Sequence, residues 1–125
     1  MCIALVVDDD PTQQLIISKL LNKIGINVIL ASDGVEALEQ IHKRCPALVI
    51  LDIFMPRMNG HEVCRRLKQD DKTHNLPVVM YSGQEKEFDG SNRCQLGANA
   101  YVSKLCQPQE LIDTVNQFLP PSCSR

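Results

Sequence analysis

The chain has 125 residues, of which 44% are hydrophobic and 22% are charged, and its formal net charge is −2. This length and composition predict one globular domain with a single core, and the near-neutral charge argues against direct binding of nucleic acid. No apolar run is long enough to cross a bilayer and no charged-then-apolar leader opens the chain, so we expect a cytoplasmic protein without membrane contact.

Six cysteines are spread singly along the chain. None forms a Cys-x-x-Cys pair, and none pairs with a histidine at zinc-finger spacing. Without a signal peptide we expect reduced thiols, several of them filling the core, rather than a disulfide or a zinc site. The six are Cys2, Cys45, Cys64, Cys94, Cys106 and Cys123.

The first half of the chain alternates between apolar runs and helical patterns. Residues 1–7 predict a strand, β1, followed by three consecutive aspartates. Asp10 before Pro11 predicts the cap and first turn of a helix, α1, whose apolar stripe ends at Gly25. Residues 27–31 predict β2, and the turn at 32–34 leads into α2 over 35–44. Residues 47–51 are continuously apolar and predict β3, a strand buried on both faces.

The second half continues the same alternation. Asn59-Gly60 is predicted to open α3, because the apolar residues Val63 and Leu67 follow it at helical spacing with charged residues between them. A polar loop over 69–75 leads to β4 at 76–81. A helix α4 is predicted over 84–96, although glycine within it weakens the pattern. Residues 100–103 predict β5 and 108–119 predict α5. We expect a domain over residues 1–119 and a tail or linker stub over 120–125.

Strands that alternate with helices predict an α/β domain, in which helices cover both faces of a parallel sheet. Right-handed crossovers place the carboxyl ends of all its strands at one edge. Asp8, Asp9, Asp52, Ser82 and Lys104 all fall at such ends. Asp52 by itself is equally compatible with a simple turn cap, but five polar residues converging on one edge favour a functional site.

The chemistry of these residue types favours phosphoryl transfer. Crowded carboxylates repel one another and suit Mg²⁺, which accepts a few protein oxygens together with a phosphate. A lysine and a hydroxyl can stabilise a phosphoryl group, and a carboxylate can attack phosphorus to form an acyl phosphate. The residues therefore fit metal-assisted transfer onto Asp52. They also allow a small phosphatase that works through an aspartyl-phosphate intermediate.

Four motifs in a fixed order carry a family resemblance. They are VVDDDP, LDIFMPRMNG, MYSGQ and AYVSK. From Val6 to about Leu119 the chain resembles a response-regulator receiver domain of two-component signalling, similar to chemotaxis regulators. The resemblance implies a flavodoxin-like fold with five parallel strands in the order 2-1-3-4-5 and helices on both faces.

The resemblance also assigns roles to the acidic residues. Asp52 is implied to accept phosphate from a phosphohistidine on a histidine kinase or a histidine phosphotransfer protein. Asp9 and Asp52 are implied to ligate Mg²⁺ directly, the backbone carbonyl of Phe54 to add a third oxygen, and Asp8 to act largely through water. Asp10 falls outside this set and is expected to remain a helix cap.

A second group of implied roles concerns the switch. Lys104 is implied to pair with the phosphoryl group, Ser82 to move toward it, and Tyr101 to turn inward, which changes the α4-β5-α5 face that controls an output protein or domain. The chain would then be a signalling phosphoacceptor and not an enzyme. Intact site residues argue against the remaining alternative, a pseudo-receiver that only docks.

One position departs from the family pattern. Leu105 stands where the family usually has a proline joined through a cis peptide bond. A cis bond before a non-proline residue costs about 3–4 kcal/mol. We therefore expect a trans bond and a loop between β5 and α5 that differs from the usual one.

Overall fold

The computed structural model describes residues 2–53, 58, 60–82, 98–103 and 107–119, and for Ser82 only the backbone. The strands are β1 Ile3–Val7, β2 Asn27–Ala31, β3 Leu48–Asp52, β4 Val78–Ser82 and β5 Ala100–Ser103. The helices are α1 Pro11–Lys23, α2 Gly34–Arg44, α3 Gly60–Gln69 and α5 Pro108–Phe118. The label α4 stays with the predicted helix over 84–96, which lies outside the described residues. Within the described part, no helix combines the length and apolar character needed to cross a membrane.

The five strands form one parallel sheet in the order β2-β1-β3-β4-β5. This arrangement confirms the predicted α/β, flavodoxin-like fold. Strand β3 lies at the centre, and all five of its residues are buried. A central strand covered on both faces needs apolar side chains on both sides, which explains its unbroken aliphatic run.

The strands send alternate residues into two separate cores. Leu5 and Val7 of β1 face a core that also receives α2 and α3, whereas Ala4 and Val6 face a core that receives α1 and α5. This period of two is the geometry of an extended chain. Both faces of the sheet are therefore covered by helices, as predicted. This leaves the carboxyl edge of the sheet for a functional site.

Local signals at the helix ends act as the sequence predicts. The Asp10 side chain accepts a hydrogen bond from the Thr12 N–H at 3.0 Å, and Pro11 occupies the first turn of α1. The Asp33 side chain caps α2 by accepting from the Glu36 N–H at 2.9 Å. These caps satisfy backbone donors that the first turn of a helix leaves unpaired, and they set the direction in which each helix leaves the sheet edge.

The expectation that all six cysteines are reduced is wrong at Cys2, which is disulfide-bonded. Cys45 is a free, exposed cysteine, and Cys64 is free and buried. Burial raises the pKa of the Cys64 thiol to about 11, as expected for a cysteine that fills the core. Spacing along the chain did not reveal the disulfide because the bond depends on the distance between two Cα atoms in space.

Candidate metal centre at the carboxyl edge of the sheet

Asp8 follows directly after β1 and is completely buried. Its backbone N–H donates to the Ala31 carbonyl at 3.0 Å. The Gln14 side-chain amide donates to the Asp8 carbonyl at 2.7 Å and to the Ala31 carbonyl at 3.2 Å. Helix α1, through Gln14, thus ties the end of β1 to the end of β2 and holds the backbone of Asp8 in place.

The Asp8 carboxylate receives a donor on each of its two oxygens. The Asp10 N–H donates to Oδ1 at 2.9 Å. The Tyr81 hydroxyl donates to Oδ2. These two donors satisfy acceptor positions of a carboxylate that is completely buried, which offsets the cost of removing it from water.

Asp52 is the last residue of β3 and is only 3% exposed. The strand extends one residue beyond the predicted apolar run, so the carboxylate stands at the end of the central strand. The Ile53 N–H donates to the Tyr81 carbonyl at 3.2 Å, and the Gly60 N–H donates to the Ile53 carbonyl at 2.8 Å. Strand β4 and the start of α3 therefore both fix the chain around Asp52.

Three carboxylates meet at this edge. One carboxylate oxygen each from Asp8, Asp9 and Asp52 lies within 4.8 Å of the other two. Asp8 and Asp52 are buried and Asp9 is exposed. Hard oxygen ligands of this kind, with one of them open to solvent, fit Mg²⁺, which keeps several of its waters. The described residues therefore suit the predicted metal, and no other group of three potential ligands occurs among them.

The structure places the remaining predicted site residues as follows. Ser82 ends β4, and its backbone is paired with that of Ser103. Tyr101 lies on β5, is 8% exposed, and packs in the core that receives α2 and α3. Phe54, Lys104 and the bond from Lys104 to Leu105 lie outside the described residues, so their roles stay predictions.

Tyr81 is a site residue that the sequence analysis missed. It lies in β4 next to Asp52 of β3, and its ring packs in the core that receives α1 and α5. Burial, followed by the hydrogen bond to Asp8 and the charges of Asp8, Asp52 and Asp10, raises the pKa of its hydroxyl far above the ordinary value. The hydroxyl therefore stays protonated and acts as a donor. The sequence feature that could have revealed Tyr81 is a tyrosine within a predicted buried strand, because a buried tyrosine hydroxyl normally has a hydrogen-bond partner.

Comparison with known proteins agrees with this geometry. The chain matches the family described as the response regulator receiver domain over residues 4–116. It is similar to PhoP of Bacillus subtilis, an alkaline phosphatase synthesis transcriptional regulatory protein, with 36% identity over 115 residues that cover 92% of this chain and 47% of PhoP. It is also similar to PilG of Pseudomonas aeruginosa, with 32% identity over 116 residues that cover 93% of this chain and 86% of PilG.

Solved structures show the same likeness. Vibrio cholerae chemotaxis protein CheY4 superposes with a TM-score of 0.87 at 27% identity, covering 95% of this chain and 99% of that one. The chain spans about half the length of the transcriptional regulators that it matches, with 47% of PhoP and 41% of a ycf27 regulator of Guillardia theta. The family match covers most of the chain and includes all three clustered aspartates. The chain therefore belongs to the response regulator receiver domain family of two-component signalling.

Proposed function

We propose that this chain is a phosphoacceptor switch that takes a phosphoryl group from a phosphohistidine onto Asp52. The single observation that carries the proposal is the cluster of Asp8, Asp9 and Asp52 at the carboxyl edge of the sheet. Asp52 is the member that ends the central strand and is fixed from two sides. A carboxylate held in this way can act as a nucleophile toward phosphorus.

In the proposed step an Asp52 carboxylate oxygen attacks the phosphorus atom. The new oxygen–phosphorus bond forms as the nitrogen–phosphorus bond of the donor breaks, and the electron pair of the broken bond stays on the histidine nitrogen. Bound Mg²⁺ would neutralise negative charge on the carboxylates and on the phosphoryl oxygens. Asp9, Asp52 and the Phe54 carbonyl would hold the ion directly, with Asp8 acting through water.

The proposal extends to the switch and its partners. Lys104 would pair with the phosphoryl group, Ser82 would donate to it, and Tyr101 would report the change to the α4-β5-α5 face. The donor would be a histidine kinase or a histidine phosphotransfer protein, and the receiver of the signal would be an output protein or domain. On this proposal residues 1–119 form the receiver domain and the chain is not an enzyme that turns over a substrate of its own.

The experiment is incubation of the purified chain with a small phosphodonor and Mg²⁺, followed by intact-mass analysis. The proposed switch gains the mass of one phosphoryl group, and the modification is labile and absent in Asp52→Asn. Steady release of phosphate without accumulation would indicate a phosphatase instead. No incorporation in either protein would indicate a docking pseudo-receiver, and either of these results would reject the proposal.

A further inference from the structure

The contact between Tyr81 and Asp8 joins two residues that are 73 positions apart in the chain. Asp8 lies beyond β1 and Tyr81 lies in β4, and strand β3 runs between these two strands. The tyrosine ring is therefore long enough to carry its hydroxyl past the central strand to the acidic cluster. A tyrosine at this position delivers a donor from inside the core.

The tyrosine itself is held rigidly. Tyr81 is 3% exposed, and its backbone pairs with Asp52 on one side and Val102 on the other. Its carbonyl accepts from the Ile53 N–H, directly after Asp52. Tyr81 thus contacts the Asp8 carboxylate through its hydroxyl and the backbone of the Asp52 segment through its own backbone. Only the first of these contacts depends on the side chain.

The hydroxyl shares the Asp8 carboxylate with a backbone donor. The Asp10 N–H anchors Oδ1 and the Tyr81 hydroxyl anchors Oδ2, so rotation about the side-chain bonds would break at least one of the two hydrogen bonds. A carboxylate has about four acceptor positions, so the hydrogen bonds from Asp10 and Tyr81 do not by themselves prevent it from acting on a metal ion or its water. A fixed orientation lowers the cost of organising the site when the ion arrives.

We propose that Tyr81 is a positioning residue for the metal centre, whose hydroxyl orients Asp8 so that the acidic cluster binds Mg²⁺ tightly. This inference rests on the proposed function, because it assumes that the cluster holds the metal for phosphorylation of Asp52. The proposal gives Tyr81 no direct contact with the phosphoryl group or the ion. Tyr81 acts through Asp8, so the loss of its hydroxyl weakens metal binding.

The test measures Mg²⁺ affinity by isothermal titration calorimetry in wild type, Tyr81→Phe and Thr73→Val. Tyr81→Phe keeps the ring in the core and removes only the hydroxyl. Loss of a group that orients a direct metal ligand typically costs about 10-fold to 100-fold in metal affinity, and because Asp8 acts through water we expect the lower end, a rise in the dissociation constant of about 10-fold. Circular dichroism confirms that each variant is folded at the temperature of the titration.

Thr73→Val is the matched control. The Thr73 hydroxyl is buried and donates to the Leu67 carbonyl at 2.7 Å, and Thr73 follows α3, away from the acidic cluster. Its removal costs a buried hydrogen bond without touching the cluster. If loss of any buried hydroxyl loosened the fold enough to weaken metal binding, both variants would lose affinity. We expect the Mg²⁺ dissociation constant of Thr73→Val to stay within about twofold of wild type.

A double-mutant cycle checks the route of the effect. In an Asp8→Ala background, Tyr81→Phe should cause no further loss of Mg²⁺ affinity, because the carboxylate that the hydroxyl orients is already gone. Further loss of about 10-fold in that background would show that Tyr81 acts by another path and would overturn the inference. The cycle also tests whether Tyr81 acts through Asp8 if Tyr81→Phe proves less stable than wild type.

The rate of Asp52 phosphorylation gives a second readout. In Tyr81→Phe the Mg²⁺ concentration that gives half the maximal rate should rise in step with the dissociation constant, while the rate at saturating Mg²⁺ stays within about twofold of wild type. Unchanged or tighter Mg²⁺ binding by Tyr81→Phe, with normal binding by wild type, overturns this inference alone. A wild type that binds no Mg²⁺ overturns the proposed function and this inference with it.

Discussion

Asp8 and Asp52 are both buried at the same edge of the sheet, but their surroundings differ. Asp8 accepts hydrogen bonds from Asp10 and Tyr81, and its backbone is tied to Gln14. Asp52 ends the central strand, where the chain on both sides of it is fixed by backbone hydrogen bonds. These surroundings suit a supporting role for Asp8 and a nucleophilic role for Asp52.

Replacement of the proposed nucleophile should separate phosphorylation from stability. Asp52→Asn is nearly isosteric, but its amide is a poor nucleophile, so we expect no acyl phosphate by mass spectrometry. Because one of three crowded charges is removed, the free energy of unfolding in metal-free buffer should equal or exceed that of wild type. This advantage should shrink when Mg²⁺ is added, since the ion relieves the same repulsion in wild type.

Under the alternative in which Asp52 is only a turn cap, the outcome differs. Its replacement would then cost about 0.5–2 kcal/mol when the amide cannot act as a cap, with no dependence on metal. Urea denaturation with and without Mg²⁺ distinguishes the two cases. Phosphorylation that survives in Asp52→Asn would contradict the assignment of the acceptor.

At the scale of secondary-structure elements, α3 begins in direct contact with the end of β3. A Cβ atom added to Gly60 would overlap the Asp52 carbonyl oxygen and would lie 2.9 Å from the Ile53 Cα. Both neighbours are backbone atoms and cannot move aside without shifting the end of β3. Gly60 therefore allows the helix to approach Asp52 closely.

Gly60→Ala should destabilise the fold and disturb the acceptor at the same time. Overpacking of this kind costs typically about 1–3 kcal/mol, and we expect a loss of that size in the free energy of unfolding measured with urea. The rate of Asp52 phosphorylation should fall as well. Gln69→Ala, at the exposed end of the same helix, is the control and should stay within about 0.5 kcal/mol of wild type. Equal stability of the two variants would contradict the close approach.

The end of α2 stores backbone strain. Cys45 caps this helix with φ of 47° and ψ of 64°, a left-handed conformation that L-residues other than asparagine and aspartate rarely adopt. Its side chain is exposed and contributes no core packing. Glycine is the usual residue at such a position.

Cys45→Gly should raise the free energy of unfolding by about 1 kcal/mol, because relief of a strained left-handed residue outweighs the greater flexibility of glycine in the unfolded chain. Thermal unfolding in reducing buffer measures the change. Cys45→Ala keeps the Cβ atom and the strain, so its melting temperature should match that of wild type. A gain in the alanine variant as large as in the glycine variant would point to the thiol and not to the backbone.

At the scale of the whole molecule, the proposed metal centre would couple metal binding to folding. Asp8, Asp9 and Asp52 come from two strand ends and meet only in the native state. An unfolded chain separates them and loses the site, so an ion bound as proposed would stabilise the folded form by mass action.

Mg²⁺ should therefore raise the melting temperature of the chain. At 100 times its dissociation constant the ion should add about 2.7 kcal/mol to the free energy of unfolding. Asp9→Ala removes the exposed ligand and should abolish most of the response, while the melting temperature without metal should not fall. A melting temperature that is unaffected by millimolar Mg²⁺ would argue against the site.

Much of this fold follows from the sequence because its signals are local. Each buried strand is a short apolar run, and in each helix apolar residues recur at helical spacing. The cap at Asp10 and Pro11 needs only neighbouring residues. Parallel strands then bring their carboxyl ends to one edge whatever their order, so the sequence alone places Asp8, Asp9 and Asp52 at the same edge. The order of the strands came from the family resemblance and not from these patterns.

The tertiary structure alone decided the contacts between distant segments. The Tyr81 hydroxyl reaches Asp8, Gly60 lies against Asp52, and Cys2 is disulfide-bonded, although no periodicity marks any of these. Period and composition report which face of an element is buried, but not which atom of another element it meets. That choice depends on strand register and on how the helices pack across the sheet, because a shift of a single residue would send the Tyr81 side chain to the opposite core.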